Sequence, residues 1–279
     1  MIQLHHHIQV MRNGNFLLDE GQNHSYVSGN KIRKFKGILR SQTSVKGLIT
    51  LGSVYSSHCL TTAFFGAYLK KPVVLIIIAD EKIDSTKFPH LKASLDFGAQ
   101  ILFVSSQEAT EFIDFQQERY NDYLWIPGGG HTKDASEEYC SFFIELFKNN
   151  LQLSTLKQVV LPYGTGTTAF GICKAIAALQ LSMRVIGVSV ARNKERCIKS
   201  ALDFAETKEE VSPLIIVEDY AGLYEKRTER TESARRRFFQ ETSVLPDPIY
   251  NAKSIEYFYR NNMRDTLLVN TGGTLNNLL

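Results

Sequence analysis

The stretch from Val159 to Cys173 constrains the fold more than any other part of the chain, because it changes periodicity within fifteen residues. An apolar run, Val159-Val160-Leu161, gives way to Gly164-Thr165-Gly166-Thr167-Thr168 and then to a helical pattern. The order is strand, tight turn, helix start. Glycines in such a turn let backbone N–H groups approach an anion, and the threonine hydroxyls add donors where the helix dipole is positive. A phosphate group fits there. No Gly-Lys-Ser/Thr ending follows, so the phosphate-loop NTPase pattern fails, while the loose dinucleotide-binding spacing is met. A glycine-rich turn that binds nothing would read the same way locally.

The rest of the chain alternates in the same manner. Strands are predicted near Phe16–Leu18, Gly47–Leu51, Val73–Ile78, Ile101–Val104, Tyr123–Ile126, Gln158–Leu161, Arg184–Val190, Pro213–Val217 and Thr266–Val269, with helical patterns between most of them. Runs rich in Val, Ile and Leu alternating with helices imply an α/β fold of two doubly wound, mostly parallel sheets. The 279 residues, 43% hydrophobic, suffice for two such units. Ligands on these sheets bind beyond the carboxyl ends of the strands, where Ser53–His58, Gly164–Thr168 and Asn270–Gly273 all fall, so a cleft between domains is expected.

Charge and cysteine usage narrow the partners. Lys+Arg 32 against Asp+Glu 29 leaves a formal charge of +3, no electrostatic footprint for nucleic acid or an acidic membrane, and a small-molecule partner is expected. The cysteines at 59, 140, 173 and 197 form no Cys-x-x-Cys pair, which suits free thiols in the cytoplasm. His5, His6 and His7 are adjacent, so they cannot easily share a metal ion, and an exposed polar terminus is expected. The segment Glu225–Arg237 interleaves acids with bases at helix-pair spacing, as on a solvated helix. Ile32, Phe35, Ile38 and Leu39 recur at helical spacing after Gly29, with Asn30 able to cap the first turn. Lys31 and Lys34 then share one helix surface, which taken alone is an ordinary solvated basic face.

Five stretches in register from about Phe16 onward carry a resemblance. They are Gly29-Asn30-Lys31-Ile32-Arg33-Lys34, Gly52-Ser53-Val54-Tyr55-Ser56-Ser57-His58, Thr165-Gly166-Thr167-Thr168, Asp247-Pro248-Ile249-Tyr250-Asn251-Ala252-Lys253-Ser254 and Asn270-Thr271-Gly272-Gly273. Together they resemble the pyridoxal-phosphate-dependent enzymes of the tryptophan-synthase β fold (fold type II), within the 1-aminocyclopropane-1-carboxylate deaminase and D-cysteine desulfhydrase group. The resemblance implies pyridoxal 5'-phosphate in the interdomain cleft. It implies a larger domain of residues 1–36 and 141–279 and a smaller one of 37–140. Lys31 is then the lysine that holds the cofactor as an imine, a role needing a buried, partly neutral amine. Lys34 would add charge to a phosphate cradled by Thr165, Gly166, Thr167 and Thr168. Asn30, Ser57, Asn251 and Thr271 fall beside the cofactor, Thr271 near its pyridine nitrogen. Ser56 aligns with the serine next to the substrate carboxylate, although a helix N-cap would read the same, and Tyr250 with the tyrosine that acts as acid, base or nucleophile.

The departures from the family pattern bear on the substrate. Ser57 stands where asparagine is usual, Ser28 where a second glycine is usual, and Asn251-Ala252 replaces a Glu-Gly or Thr-Gly pair. The Gly-x-x-Tyr-Gly stretch with a second tyrosine is faintly echoed by Ala221-Gly222-Leu223-Tyr224. The amino-terminal segment is short, which would open one edge of the larger domain. The expected activity is that of a cytoplasmic deaminase or lyase, a homodimer, acting on a small amino acid and releasing ammonia and a 2-keto acid. Thr271 and Asn251 tilt it toward D-cysteine, since a neutral hydroxyl stabilises a pyridinium less than a carboxylate does. Two rivals stand beside it: a homologue that keeps the cofactor without catalysis, and an NADP-dependent oxidoreductase in which Arg192 meets a 2'-phosphate.

Overall fold

The computed structural model describes residues 2–40 and 44–278 and divides the chain between two sheets. Strands β1 (His7–Val10) and β2 (Phe16–Asp19) start the larger one, and helix α1 (Asn30–Ile38) leads out of it. The smaller sheet then follows as β3 (Leu48–Gly52), α2 (Ser57–Leu69), β4 (Val73–Ile78), α3 (Pro89–Asp96), β5 (Gln100–Val104), α4 (Ala109–Arg119) and β6 (Leu124–Ile126). Helices α5 (Lys133–Asn149) and α6 (Leu151–Ser154) return the chain to the larger sheet. That sheet is completed by β7 (Gln158–Tyr163), α7 (Thr167–Ala178), β8 (Arg184–Ser189), α8 (Lys194–Leu202), β9 (Leu214–Val217), α9 (Glu229–Thr242), α10 (Asn251–Arg260) and β10 (Thr266–Asn270).

The strand orders are β1-β2-β10-β7-β8-β9 and β5-β4-β3-β6, and every pair is parallel except β1 with β2. The expected α/β architecture therefore holds, with one antiparallel edge strand, β1, added to the expected set. His7 opens that strand; the side chains of His5, His6 and His7 are exposed.

Burial explains the uniformly apolar strands. In β7, Val159, Leu161 and Tyr163 pack against α5 and α7, while Val160 packs on the opposite face against Phe238, Ile255 and Phe258 of α9 and α10. Alternate side chains point to opposite faces, so a strand covered on both must be apolar throughout. The smaller sheet repeats this logic: Val73, Leu75 and Ile77 face one core, Val74 and Ile76 the other.

Helix α1 is wedged between the two units. Ile32, Phe35 and Ile38 join the core of the smaller sheet. On the opposite side Arg33 forms a buried pair with Glu20, whose carboxylate also accepts from the Tyr139 hydroxyl at 2.7 Å. The start of α1 is fixed by the Asn23 side chain, which accepts from Gly29 N at 3.0 Å and donates to Gly29 O at 3.1 Å, and by close backbone packing. Gly29 (φ 104°) bridges Gly272 (φ 86°), and a Cβ at Gly29 would lie 2.6 Å from the Thr271 carbonyl oxygen. Both positions need glycine's left-handed freedom and its missing side chain.

Candidate active site

Lys31 and Lys34 leave α1 on the face turned toward β7 and α7. The Lys31 ammonium donates to Asn30 Oδ1 at 3.0 Å, and Asn30 Nδ2 donates to Thr168 Oγ1 at 3.1 Å. One amide thus links the amine to the glycine–threonine turn. Asn30 does not cap its helix; Gly29 holds that position, and the Asn30 side chain is committed across the cleft. Burial lowers Lys31 to about 8, against the pull of the Asp247 carboxylate, so a useful fraction is neutral near physiological pH. Lys34 donates to the Gly129 carbonyl at 3.1 Å and is held well below the usual lysine range by burial and then by Lys31. Neither lysine has a carboxylate ion-pair partner among the described residues. Two amines held below their usual range with no carboxylate ion-paired to them among the described residues leave a place for an anion, which would favour their charged forms.

The turn facing them is built to receive one. Gly166 (φ 88°) caps α7, and a Cβ there would lie 2.1 Å from the Tyr163 hydroxyl, so only glycine closes the turn over that ring. The Ser200 hydroxyl donates to Thr165 O at 2.7 Å and therefore accepts from His131 Nε2–H at 3.2 Å. His131 is lowered to about 4 by burial and the Lys34 charge, so it is neutral and its Nδ1 accepts from the Thr167 hydroxyl at 2.8 Å. His58 is braced in the same way. Thr50 donates to Ile126 O and accepts from His58 Nε2–H, both at 2.7 Å, which leaves His58 Nδ1 a buried acceptor without a partner among the described residues.

The opposite wall comes from α2 and from the segment before α10. Ser56 is the N-cap of α2, its Oγ accepting from Cys59 N at 3.2 Å; this leaves its proton free. Ser57 Oγ lies 3.2 Å from His90 Nε2. The Tyr224 and Tyr250 hydroxyls are hydrogen-bonded, with rings edge to face at 5.5 Å, and Ser53 Oγ is 3.5 Å from Tyr224. Burial raises both phenols, Tyr250 well above the usual range, so both stay protonated. Asp247 accepts from the N–H groups of Ile249, Tyr250 and Asn251 at 2.8–2.9 Å, which shapes the turn presenting Tyr250. Asn251 Nδ2 donates to Gly272 O, so its Oδ1 accepts from Thr271 N and from the Thr271 hydroxyl. Thr271 therefore offers only lone pairs to the cleft.

Lys31, Ser56, Tyr250, Asn30, Lys34, Ser57, Thr165, Gly166, Thr168 and Thr271 all line one cavity of about 430 Å³ between the sheets. Thr167 and Asn251 do not; each is fully buried behind it. Tyr224, the faint echo in the sequence, lines the cavity beside Tyr250, so the second tyrosine is present. His58 and Arg192 line it as well, and local sequence carries no signal for the bracing of His58, whose partner Thr50 is itself fixed by the Ile126 carbonyl on the neighbouring strand.

A buried amine linked to an anion-binding turn, in the cleft of two mostly parallel sheets, defines an enzyme that carries a phosphorylated carbonyl cofactor. Residues 6–271 match the model of the pyridoxal-phosphate dependent enzymes, and the chain belongs to that family. A Thermotoga maritima protein provisionally named a 1-aminocyclopropane-1-carboxylate deaminase is 26% identical over 268 residues, 88% of this chain and 84% of its own length. The mitochondrial bifunctional D-cysteine desulfhydrase/1-aminocyclopropane-1-carboxylate deaminase of Arabidopsis thaliana is 23% identical, over 89% of this chain and 69% of its own. A solved 1-aminocyclopropane-1-carboxylate deaminase homologue shares the fold with TM-score 0.79 at 18% identity, covering 97% of this chain and 90% of its own. The processed form of threonine deaminase isoform 2 from Solanum lycopersicum does so with TM-score 0.67 at 13% identity, covering 94% and 80%. The cofactor of this family is pyridoxal 5'-phosphate. The residues present fit it: an amine near neutrality for its aldehyde, and hydroxyls, a helix N-terminus and an uncompensated Lys34 for its phosphate.

Proposed function

We propose that the protein is a deaminase or lyase for a small amino acid, in the manner of a D-cysteine desulfhydrase or a 1-aminocyclopropane-1-carboxylate deaminase, releasing ammonia and a 2-keto acid. The observation that carries this reading is the convergence of the Lys31 amine, the Ser56 hydroxyl and the Tyr224–Tyr250 pair on one cavity. The names of the relatives agree with it. Four buried free cysteines suit a reducing compartment, and a cytosolic homodimer is the expected assembly.

When bound, pyridoxal phosphate supplies an electron-withdrawing ring that stabilises negative charge on the substrate carbon. The chain supplies the rest. Lys31 Nζ, neutral in part at pH 7–8, accepts and returns a proton at that carbon. The Ser56 hydroxyl and the N-terminus of α2 orient the substrate carboxylate. Tyr250 Oη, kept protonated, donates to the departing group, and Tyr224 Oη re-supplies it. Thr271, its proton committed to Asn251, would offer a neutral acceptor to the cofactor ring. Lys34 and the turn at 164–168 would hold the phosphate. Lys34→Met is expected to weaken pyridoxal phosphate binding roughly 10- to 100-fold, the worth of one charge-assisted hydrogen bond, and to leave binding of phosphate-free pyridoxal unchanged.

Incubating the loaded enzyme with D-cysteine and with 1-aminocyclopropane-1-carboxylate, and following sulfide, ammonia and keto acid, tests the reading. Pyruvate, sulfide and ammonia from D-cysteine are the expected result. Bound cofactor with no product from a panel of D- and L-amino acids would establish the non-catalytic alternative instead.

A further inference from the structure

Lys253 lies on α10, three residues after Tyr250, and its side chain is entirely buried. Its ammonium donates to the carbonyls of Leu223 and Tyr224, the latter at 2.7 Å, and reaches Val190 O at 3.5 Å. No carboxylate forms an ion pair with it among the described residues. Burying a lone ammonium is costly, and here its three donors are met by main-chain acceptors from two other segments. The segment 221–228 has no strand or helix of its own. Its backbone is tied to a neighbouring segment by Gly222 N to Ala191 O, and locally by Leu223 N to Tyr220 O and Lys226 N to Leu223 O. Lys253 is what grips the Tyr224 carbonyl, and it does so from the helix that begins with Tyr250's own turn.

We propose that Lys253 is a positioning residue of the active site: through the Leu223 and Tyr224 carbonyls it sets the Tyr224 hydroxyl against Tyr250. The proposal rests on the functional reading above for the role of the tyrosine pair, but not for the docking of the segment. It also gives the site an alkaline limit. The charged groups facing Lys253 are Asp247, in the turn before α10, and Glu225 from the loop. Burial lowers the Lys253 ammonium to about 8, although Asp247 and Glu225 pull it upward. Below that pH three N–H donors face three carbonyls. Above it the neutral amine has two donors and a lone pair directed at oxygen, and the loop loses its hold.

The test uses the full-length, cofactor-loaded protein and the variants Lys253→Met, Tyr224→Phe and the double variant. Trypsin cleavage after the exposed Lys226, followed by mass spectrometry and normalised to a distant site, reads docking of the loop. Lys253→Met is expected to keep the cofactor absorbance and to be cut at Lys226 about 10-fold faster than wild type. Turnover should fall, and adding Lys253→Met to Tyr224→Phe should cost less than about 2-fold more, because one interaction has already been lost. The wild type should lose turnover above about pH 8, a limb that Lys253→Met lacks. If Lys253→Met fails to fold, wild-type cleavage at Lys226 must still rise from pH 7 to 9 relative to the distant site. Unchanged cleavage in the variant, a flat wild-type ratio, or full additivity with Tyr224→Phe would overturn the proposal. Absence of turnover with every amino acid would overturn the functional reading while leaving the proteolysis result to judge Lys253.

Discussion

Lys31→Ala is expected to abolish the visible absorbance of the loaded enzyme and to lower turnover by at least ~10³-fold, the combined effect of losing a nucleophile and a proton carrier. Lys31 is the cavity-lining amine that one amide, Asn30, links to the Thr168 hydroxyl, and burial brings it to about 8. Lys34 lines the same cavity, but its amine is turned to the Gly129 carbonyl. Lys34 therefore cannot substitute for Lys31, and the alanine variant should hold pyridoxal phosphate only by its phosphate end. Spectra and turnover of wild type and variant check this. An undiminished band in Lys31→Ala would assign the aldehyde to another residue.

Arg33→Met should produce the largest loss of stability, about 3–5 kcal/mol, because it leaves a buried carboxylate without its counter-charge. Glu20 is fully buried; Arg33 Nε lies 3.2 and 3.1 Å from its two oxygens and Nη2 2.7 Å from Oε1. After the substitution Glu20 keeps only the Tyr139 hydroxyl. The guanidinium also covers the Phe142 ring at 3.5 Å, packing that methionine partly retains. Urea denaturation should show a lower midpoint at unchanged slope. The Glu20→Gln/Arg33→Met double variant should recover part of the loss, since neither charge then remains. A loss under about 1 kcal/mol would mean that water reaches Glu20. Because the Glu20 carbonyl accepts from Gly29 N at 2.8 Å, the same pair also holds the start of the helix that carries Lys31.

Much of this was legible in the sequence for definite reasons. Val159–Leu161 and Val73–Ile78 read as buried strands because a strand covered on both faces must be apolar at every position. The glycine–threonine turn and the Lys31–Lys34 pair were visible because each is local, and the order of five short stretches related them. Other features were not local. Strand β1 escaped notice because a short edge strand needs only its neighbour's free ladder, not an apolar pattern of its own. Asn30 looked like a cap because its partner Thr168 is 138 residues away. Tyr224 lies in a segment without periodicity, its carbonyl bonded by a lysine 29 residues further on. The Thr50 hydroxyl that braces His58 is oriented by the Ile126 carbonyl, 76 residues away on the neighbouring strand. Long-range polar contacts of this kind leave no trace in a one-dimensional pattern.

Lys31 is proposed to carry the cofactor opposite the 164–168 turn. Borohydride reduction of the pyridoxal-phosphate-loaded protein, followed by digestion and mass spectrometry, locates the attachment directly. A single phosphopyridoxyl group on Lys31 is the predicted result. Modification of Lys34 or Lys253 in its place, or of no lysine at all, would show that Lys31 does not hold the aldehyde.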